Sequence, residues 1–282
     1  MNPRSTPDAI ELELKFGLRE VTVSDVSQAL SPELLPLHTR WLQNIYYDTQ
    51  KSELHHMGVA IRTRTIDQDH EMTVKIRQPD EGGLSRRQEW NIPLLGPELD
   101  RDQLLALPLP DPVLSMIAQG ALRPVFLNEF HRTDWSVRSG SSEIMVSLDQ
   151  GVVERGALQS PVNELELEWI AGEVDTLIAL GCQIADALPS FMAVISKAER
   201  GERLATGDSP VSDPSPTDVR GWLYRLSRML DPLAGPNPKE AVKALCQCHD
   251  HNAEQRFAKG IGEGQLPAGL ARWMVEKSFE GV

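Results

Sequence analysis

The sequence predicts an α+β fold in which about eight antiparallel strands precede a small helical module. Apolar and polar residues alternate along most segments between residues 9 and 170, and turn-forming residues separate these segments. Residues 206–218 are rich in Ser, Pro, Asp and Gly, which is typical of a linker, and residues 219–282 then show helical spacing of apolar residues. Strands of this kind close most naturally into a barrel or pack as a sandwich.

The composition restricts the classes of function. The 282 residues are 40% hydrophobic and 24% charged, as in soluble globular proteins. No apolar run approaches the roughly 20 residues needed to cross a bilayer, and the N-terminal MNPRSTPD lacks the apolar core of a signal peptide. Three cysteines are too few for a disulfide framework, so we expect a cytoplasmic protein without membrane association. The net charge of −13 argues against broad nucleic-acid binding, and a site for a polyanion would have to concentrate its basic residues.

Each predicted element has a local signal. The first strand contains ELELKF, residues 11–16, and a short helix over 24–30 begins with Ser24 as a candidate N-cap. Further strands are predicted over residues 41–49, 59–66, 71–78, 84–92, 124–138, 143–151 and 162–170. The predicted helices are one turn closed by Gly58, two short helices between Pro97 and Gly120, and a helix between Glu173 and Leu188. We therefore expect a strand domain over 1–205, a linker over 206–218 and a helical module over 219–282.

Charged side chains occupy one face of several predicted strands, because alternate residues of a strand point to the same side. On the first strand, Glu11, Glu13 and Lys15 share a face. The other strands add Arg62, Arg64, Thr73, Lys75, Arg77, Arg87, Glu89, Arg132, Asp134, Asp149, Glu164, Glu166 and Glu168. The basic residues collect on the middle strands, and the glutamates collect on the first and last strands.

A solvated sheet face would explain this alternation in one strand. Solvated faces usually mix Lys, Glu, Thr, Ser and Gln, however, whereas here opposite charges are segregated over several strands. Carboxylates suit hard cations such as Mg²⁺, and Arg and Lys bind phosphate oxygens. The pattern therefore favours a site for phosphate groups and a divalent metal, formed where the charged faces meet in one lumen.

The order of the motifs resembles that of a CYTH domain, a family also called the triphosphate tunnel metalloenzymes. The motifs are E-x-E-x-K at 11–15, R-x-R at 62–64, T-x-K at 73–75, R-x-E at 87–89, L-D-x-G at 148–151, ELELE at 164–168 and SKAERG at 196–201. The resemblance covers about residues 8–205. YYDT at 46–49 and SKAERG look like bacterial inorganic triphosphatases, which often carry a helical CHAD domain. Residues 219–282 are much too short for a complete CHAD domain.

The resemblance implies an eight-stranded antiparallel β-barrel that forms a charged tunnel, with helices packed outside. The residues that would bind triphosphate are Lys15, Arg62, Arg64, Lys75, Arg77, Arg87, Arg132 and Lys197. One or two Mg²⁺ or Mn²⁺ ions would be held by Glu11 and Glu13 together with two of Glu164, Glu166 and Glu168. The catalytic group would be Lys15, Arg87, Glu89, Asp149 and Glu168. The implied reaction is metal-dependent hydrolysis of inorganic triphosphate to diphosphate and phosphate.

Other functions fit the same residues. A thiamine triphosphatase or a class IV adenylyl cyclase would use the same tunnel for a related triphosphate compound. A non-catalytic sensor of polyphosphate or nucleotides would bind its ligand without turnover, although a pure anion binder has no need of the glutamates.

Overall fold

The computed structural model describes residues 12–77, 87–206, 216, 218–231 and 237–279. Within these residues, nine strands form one sheet, and there are ten helices. The strands are β1 (Glu13–Leu18), β2 (His38–Asp48), β3 (Val59–Ile66), β4 (Asp69–Arg77), β5 (Arg87–Leu94), β6 (Arg123–Ser139), β7 (Ser142–Arg155), β8 (Leu158–Ala171) and β9 (Ser190–Met192). The helices are α1 (Val23–Leu30), α2 (Glu53–His56), α3 (Arg101–Leu105), α4 (Asp111–Ala118), α5 (Val174–Ala187), α6 (Lys197–Thr206), α7 (Val219–Leu230), α8 (Pro238–Cys246), α9 (His251–Gly262) and α10 (Leu270–Ser278).

The sheet has the strand order β5-β4-β3-β2-β6-β7-β8-β1-β9, and neighbouring strands are antiparallel throughout. The longest strands are β6, β7 and β8, with 17, 14 and 14 residues. The first strand in the sequence pairs with β8, which brings the two glutamate-rich segments side by side. The predicted α+β class and the predicted antiparallel pairing are confirmed.

Three details differ from the prediction. A ninth strand, β9, pairs with β1, and its three residues are too few for an alternation to be recognised in the sequence. Among the described residues the edge strands β5 and β9 are not hydrogen-bonded to each other, so the sheet is open where we expected a closed barrel. Helix α1 is capped by Thr22 rather than Ser24, because Thr22 and Asp25 form a reciprocal capping box.

The apolar residues of the strands lie under the helices. Phe16 of β1 and Leu167 of β8 pack with Leu177 of α5 in one buried cluster. Ile61 of β3 packs with Leu104 of α3 in a second. Complete burial of such a side chain contributes roughly 1.5–3 kcal/mol, which fixes this face of the sheet as the outer face. The opposite face, which carries the predicted charged residues, is called the inner face below.

Helix α6 packs on the inner face. Its residues Ala198 and Leu204 contact a small buried cluster that includes Tyr46 of β2 and Phe126 of β6. The rings of Tyr46 and Phe126 stack with their centroids 4.5 Å apart. Helix α6 therefore covers part of the inner face, while the other helices that contact the strands lie mainly on the outer face.

The C-terminal helices share a buried cluster with the end of the strand domain. Leu226 of α7 and Phe257 of α9 pack with Phe191 of β9, and Val275 of α10 belongs to the cluster under α5. Much of the predicted linker 206–218 lies outside the described residues, so the division into two units stays a prediction. In the described part of the chain, no helix combines the length and the apolar character needed to cross a membrane.

Candidate active site

One cavity of about 480 Å³ lies between the inner faces of the strands and helix α6. Its wall contains ten of the predicted substrate-binding, catalytic and metal-binding residues: Glu13, Lys15, Arg62, Arg64, Lys75, Glu89, Arg132, Glu166, Glu168 and Lys197. These residues come from β1, β3, β4, β5, β6, β8 and α6. The polar faces of strands far apart in the sequence thus meet in one space.

The pairing of β1 with β8 sets the arrangement of the glutamates. Glu13 lies directly opposite Glu168, and Lys15 lies opposite Glu166. Like charges directly opposite each other destabilise a sheet. Glu13 and Glu168 are therefore a pair of carboxylates on the cavity wall that would gain from a bound cation.

The ammonium group of Lys197 lies among three carboxylates. Its Nζ atom is 2.7 Å from Asp149 Oδ2, 2.5 Å from Glu164 Oε1 and 2.9 Å from Glu166 Oε1. The contact with Glu164 is an ion pair without hydrogen-bond geometry. Oxygen atoms of the three carboxylates come within 4.8 Å of one another, as in a metal site. Here the amino group of Lys197 supplies the cation.

Arg132 completes this group, which we call the Lys197 cluster: Arg132, Asp149, Glu164, Glu166 and Lys197. The guanidinium of Arg132 donates to both oxygens of Asp149 and to Glu166 Oε2, each at 2.6 Å. Asp149 and Glu164 are almost completely buried, at 0% and 1% exposure. Charges buried this deeply persist only when they are paired and hydrogen-bonded. Asp149 and Glu166 meet both conditions. Glu164 is paired with Lys197, but within the described residues its carboxylate accepts no hydrogen bond.

Mutual pairing decides the charge states in the Lys197 cluster. Burial acts to lower the pKa of Lys197, but Asp149 and Glu164 outweigh it and raise that pKa above its ordinary value. Burial acts to raise the pKa of Glu166, but Lys197, Lys15 and Arg132 hold it well below the ordinary value. Both groups therefore stay charged at neutral pH.

Lys15 connects the Lys197 cluster to the glutamate pair. Its Nζ atom is 3.3 Å from Glu166 Oε1 and 3.6 Å from Glu13 Oε1. Burial acts to lower the pKa of Lys15, but the carboxylates of Glu13 and Glu166 raise it. Lys15 is thus a protonated amine on the cavity wall.

The strands β3 and β4 provide a more basic part of the wall. Arg64 Nε donates to Asn44 Oδ1 at 2.7 Å, and its Nη1 lies 3.5 Å from Glu71 Oε1. Burial and the guanidinium groups of Arg62 and Arg132 lower the pKa of Arg64 to about 9. Positive charge here is only partly compensated by the protein, so an anion bound beside Arg64 would be favourable.

Glu89 holds the next basic residue along the wall. Lys75 Nζ lies 2.7 Å from Glu89 Oε2. Burial acts to raise the pKa of Glu89, but Lys75 lowers it below its ordinary value. Thr73, on the same face of β4, donates to Asn91 Oδ1 at 3.0 Å. Glu89 thus orients Lys75 toward the cavity.

The structure does not describe three of the predicted site residues completely. Glu11 and the side chains of Arg77 and Arg87 lie outside the described residues. The backbone pairing of β4 with β5 sets Arg77 opposite Arg87. Their roles stay predictions.

Three further residues of the site, Asn44, Tyr46 and Asn91, were not predicted from the sequence. Asn44 and Tyr46 alternate on the inner face of β2, and Asn91 follows Glu89 at the spacing of one strand face. Burial acts to raise the pKa of Tyr46, but Arg62, Arg64 and Lys197 lower it. Alternation could have found all three, but uncharged polar residues on a strand are too common to stand out.

Replacing Lys197 by Met tests the Lys197 cluster. We expect the free energy of unfolding at neutral pH to fall by about 3–5 kcal/mol, because buried carboxylates lose their shared cation. The lowered pKa of Glu166 gives stability that is present above its ordinary value of 4.5 and is lost as the pH falls through the folded-state pKa. The difference between variant and wild type should therefore shrink in acid, as urea unfolding at neutral pH and at about pH 3 would show.

Lys51→Met is the matched control, since Lys51 is exposed. It should leave the free energy of unfolding within about 0.5 kcal/mol of wild type. A Lys197→Met protein as stable as the control at neutral pH would contradict the ion pairing described here.

Comparison with known proteins identifies relatives. The sequence is 29% identical to the inorganic triphosphatase of Haemophilus influenzae over 197 residues, which are 70% of this chain and 55% of that protein. The chain therefore spans about half the length of this relative. A solved structure of a candidate adenylyl cyclase from Hippeastrum, described as having a dominant triphosphatase activity, is 21% identical and covers 71% of this chain and 97% of its own, with a TM-score of 0.49. A candidate adenylate cyclase from Vibrio parahaemolyticus is 17% identical and covers 62% and 87% of the two chains, with a TM-score of 0.38.

The sequence profile of the CYTH domain matches residues 9–201, which is more than half of the chain. The matched range contains all the residues that line the cavity, from Glu13 to Glu199. The chain therefore belongs to the CYTH domain family.

Proposed function

We propose that this protein hydrolyses inorganic triphosphate to diphosphate and phosphate with the help of a divalent metal ion. The observation that supports this most is that basic side chains from four strands share one cavity with the opposed carboxylates of Glu13 and Glu168. Membership of the CYTH domain family and the name of the Haemophilus influenzae relative point to the same reaction.

Triphosphate is an extended anion, and the wall of the cavity offers donors along its length. Arg62 and Arg64 can present planar forks to phosphate oxygens, and Lys15 and Lys75 add point charges. Arg64 is buried and lies near the guanidinium groups of Arg62 and Arg132, so an anion in this part of the wall would be favourable. We assign the first contacts with substrate to this part of the wall.

Arg132 and Lys197 line the cavity as well, but their shortest contacts are with carboxylates. We therefore assign them the task of holding Glu166 in place on the cavity wall.

The carboxylates fit a divalent cation such as Mg²⁺ or Mn²⁺, which prefers a few carboxylate oxygens together with phosphate oxygens. Glu13, Glu166 and Glu168 lie on the cavity wall and would hold it. Glu164 lies behind the wall against Lys197, so we do not assign it to the metal. When bound, the ion would offset charge on phosphate oxygens and lower the pKa of a water molecule.

The remaining contribution of the chain is electrostatic. Phosphoryl transfer needs positioning and compensation of the charge that develops on the transferred and leaving oxygens. Lys15 keeps its proton because of Glu13 and Glu166, so it can stabilise the departing diphosphate. Glu89 keeps Lys75 directed at the substrate.

An assay over three substrates and two metals tests the proposal. With Mg²⁺ or Mn²⁺, we expect the protein to release phosphate from tripolyphosphate faster than from thiamine triphosphate or ATP, and to stop when EDTA is added. Faster release of phosphate from thiamine triphosphate would favour a thiamine triphosphatase instead. Formation of cyclic AMP from ATP would favour an adenylyl cyclase. Tight binding of tripolyphosphate without release of phosphate would favour the sensor.

Glu13→Gln separates catalysis from binding. We expect turnover to fall by about a hundredfold or more, because the variant loses a metal ligand, while tripolyphosphate still binds without metal. Isothermal titration measures the binding, and Glu33→Gln on an exposed loop is the control. Unchanged turnover in Glu13→Gln would remove this carboxylate from the mechanism.

Arg64→Ala tests the basic wall. We expect KM for tripolyphosphate to rise about 10-fold to 100-fold, because the variant loses one charged group that hydrogen-bonds to the substrate. The melting temperature of the free protein should hold or rise, because the lowered pKa shows that this charge is unfavourable without ligand. Arg138→Ala, at a side chain that is 74% exposed, should change neither quantity. A large drop in melting temperature for Arg64→Ala would contradict the account.

A further inference from the structure

We infer that the C-terminal helix α7 positions helix α6, and with it Lys197, in the cavity. Asp231, the residue that ends α7, is then a positioning residue that acts through Arg200 of α6. The C-terminal helices would be part of the machinery of the site and not a separate appendage. The expected change in kinetics rests on the proposed function. The expected effect on the position of α6 rests on the geometry alone.

Apolar packing alone does little to orient α6. Its sequence, KAERGERLAT, has few apolar residues, and Ala198 and Leu204 are those that reach the buried cluster. At Gly201 an added Cβ would lie 2.2 Å from the ring of Phe126, so the helix approaches the inner face closely at that point. Hydrophobic contact is non-directional. The directional contacts of α6 come from its charged residues.

The charged residues of α6 contact different parts of the molecule. Lys197 enters the Lys197 cluster on β7 and β8. Glu202 accepts a hydrogen bond from Ser52 at 2.9 Å and lies 3.4 Å from Arg155 Nη1 at the end of β7. Arg200 points away from these strands, toward α7. Contacts in several directions fix the helix as a rigid body.

The contact between Arg200 and Asp231 is a buried bidentate ion pair. Arg200 Nη1 donates to Asp231 Oδ1 at 3.1 Å, and Nη2 donates to Oδ2 at 2.9 Å. The two side chains are 8% and 1% exposed. Such a pair has a defined geometry and responds strongly to the loss of either partner.

Helix α7 is itself attached to β9, the strand that pairs with β1. Ser227 Oγ donates to the carbonyl oxygen of Met192 in β9 at 2.6 Å, and Leu226 packs with Phe191. β9 pairs with β1, which contains Glu13 and Lys15. Helix α7 thus connects α6 to β9 and, through the pairing of β9 with β1, to the strand that contains Glu13 and Lys15.

A contribution to the stability of the fold does not by itself explain why α6 and α7 are joined by a buried ion pair. Buried ion pairs can often be replaced by apolar residues without loss of stability, because desolvation offsets the attraction between the charges. Their planar geometry does fix the relative position of two elements. We therefore expect the main consequence of losing Asp231 to be a displaced α6.

The experiment compares variants of the full chain by hydrogen exchange, tripolyphosphate binding and steady-state kinetics. The variants are Asp231→Asn, Asp231→Glu, Lys197→Met, the double variant Asp231→Asn/Lys197→Met, and Arg272→Gln. Arg272→Gln is the matched control, because Arg272 also joins the C-terminal helices to the strand domain, through Asp186 of α5, but at an exposed position away from α6.

We expect faster exchange of the α6 amides in Asp231→Asn, and a loss in kcat/KM for tripolyphosphate of about 10-fold to 100-fold, the effect of a small displacement in a site. Asp231→Glu should restore much of both. The double variant should be no less active than Lys197→Met alone, since Asp231 acts on the site through the position of Lys197, which the second substitution has already removed. Arg272→Gln should behave as wild type.

The inference would be overturned if Asp231→Asn lowers the melting temperature but leaves the exchange of the α6 amides and the kinetics as in the wild type. Asp231 would then have only a structural role. Additive losses in the double variant would also overturn it. If Asp231→Asn does not fold, Arg200→Met/Asp231→Leu leaves neither charge unpaired and takes its place. If the wild type releases no phosphate, the proposed function fails, and exchange of the α6 amides decides the inference alone.

Discussion

The structure depends on the pairing of opposite charges on the inner face of the sheet. Asp149 and Glu164 are removed from water, and the ammonium group of Lys197 lies against both, while Arg132 forms a second ion pair with Asp149. Desolvation of such groups costs several kcal/mol each, and a strand order that separated them would leave that cost uncompensated. The position of α6 on the inner face follows, because α6 is the element that brings Lys197 to these carboxylates.

The same principle explains why the cavity suits a charged ligand. At the Lys197 cluster cations and carboxylates pair with one another, whereas Arg64 lies in a more basic part of the wall and Glu13 lies directly opposite Glu168. An anion near the first and a cation near the second would complete the pairing. A phosphate chain that binds a metal ion supplies both charges in one ligand. This complementarity is the physical link between the sheet and the proposed reaction.

Much of this could be predicted from the sequence. The period of two in segments such as ELELKF and ELELE indicates which face each side chain takes, and the ordered motifs indicate that the faces share one site. What the sequence could not give is contact between distant elements. Nothing near Lys197 reveals that its partners are Asp149 and Glu164, and nothing in α7 marks Asp231 as the partner of Arg200.

Other differences have equally local causes. β9 is too short to show an alternation, and the capping box at Thr22 competes with a serine two residues later that looks equally suitable in sequence. Uncharged inner-face residues such as Asn44 and Tyr46 carry no signal beyond their spacing. Charge patterns are thus more informative than polar patterns when the inner face of a sheet is read from sequence.

The most direct test of the account is a crystal structure of the protein with tripolyphosphate and Mn²⁺, recorded with the anomalous signal of manganese. We expect a phosphate chain beside Arg62 and Arg64 and an anomalous peak next to Glu13 and Glu168. Phosphate density and manganese found only on the outer surface, with the cavity filled by water, would contradict it.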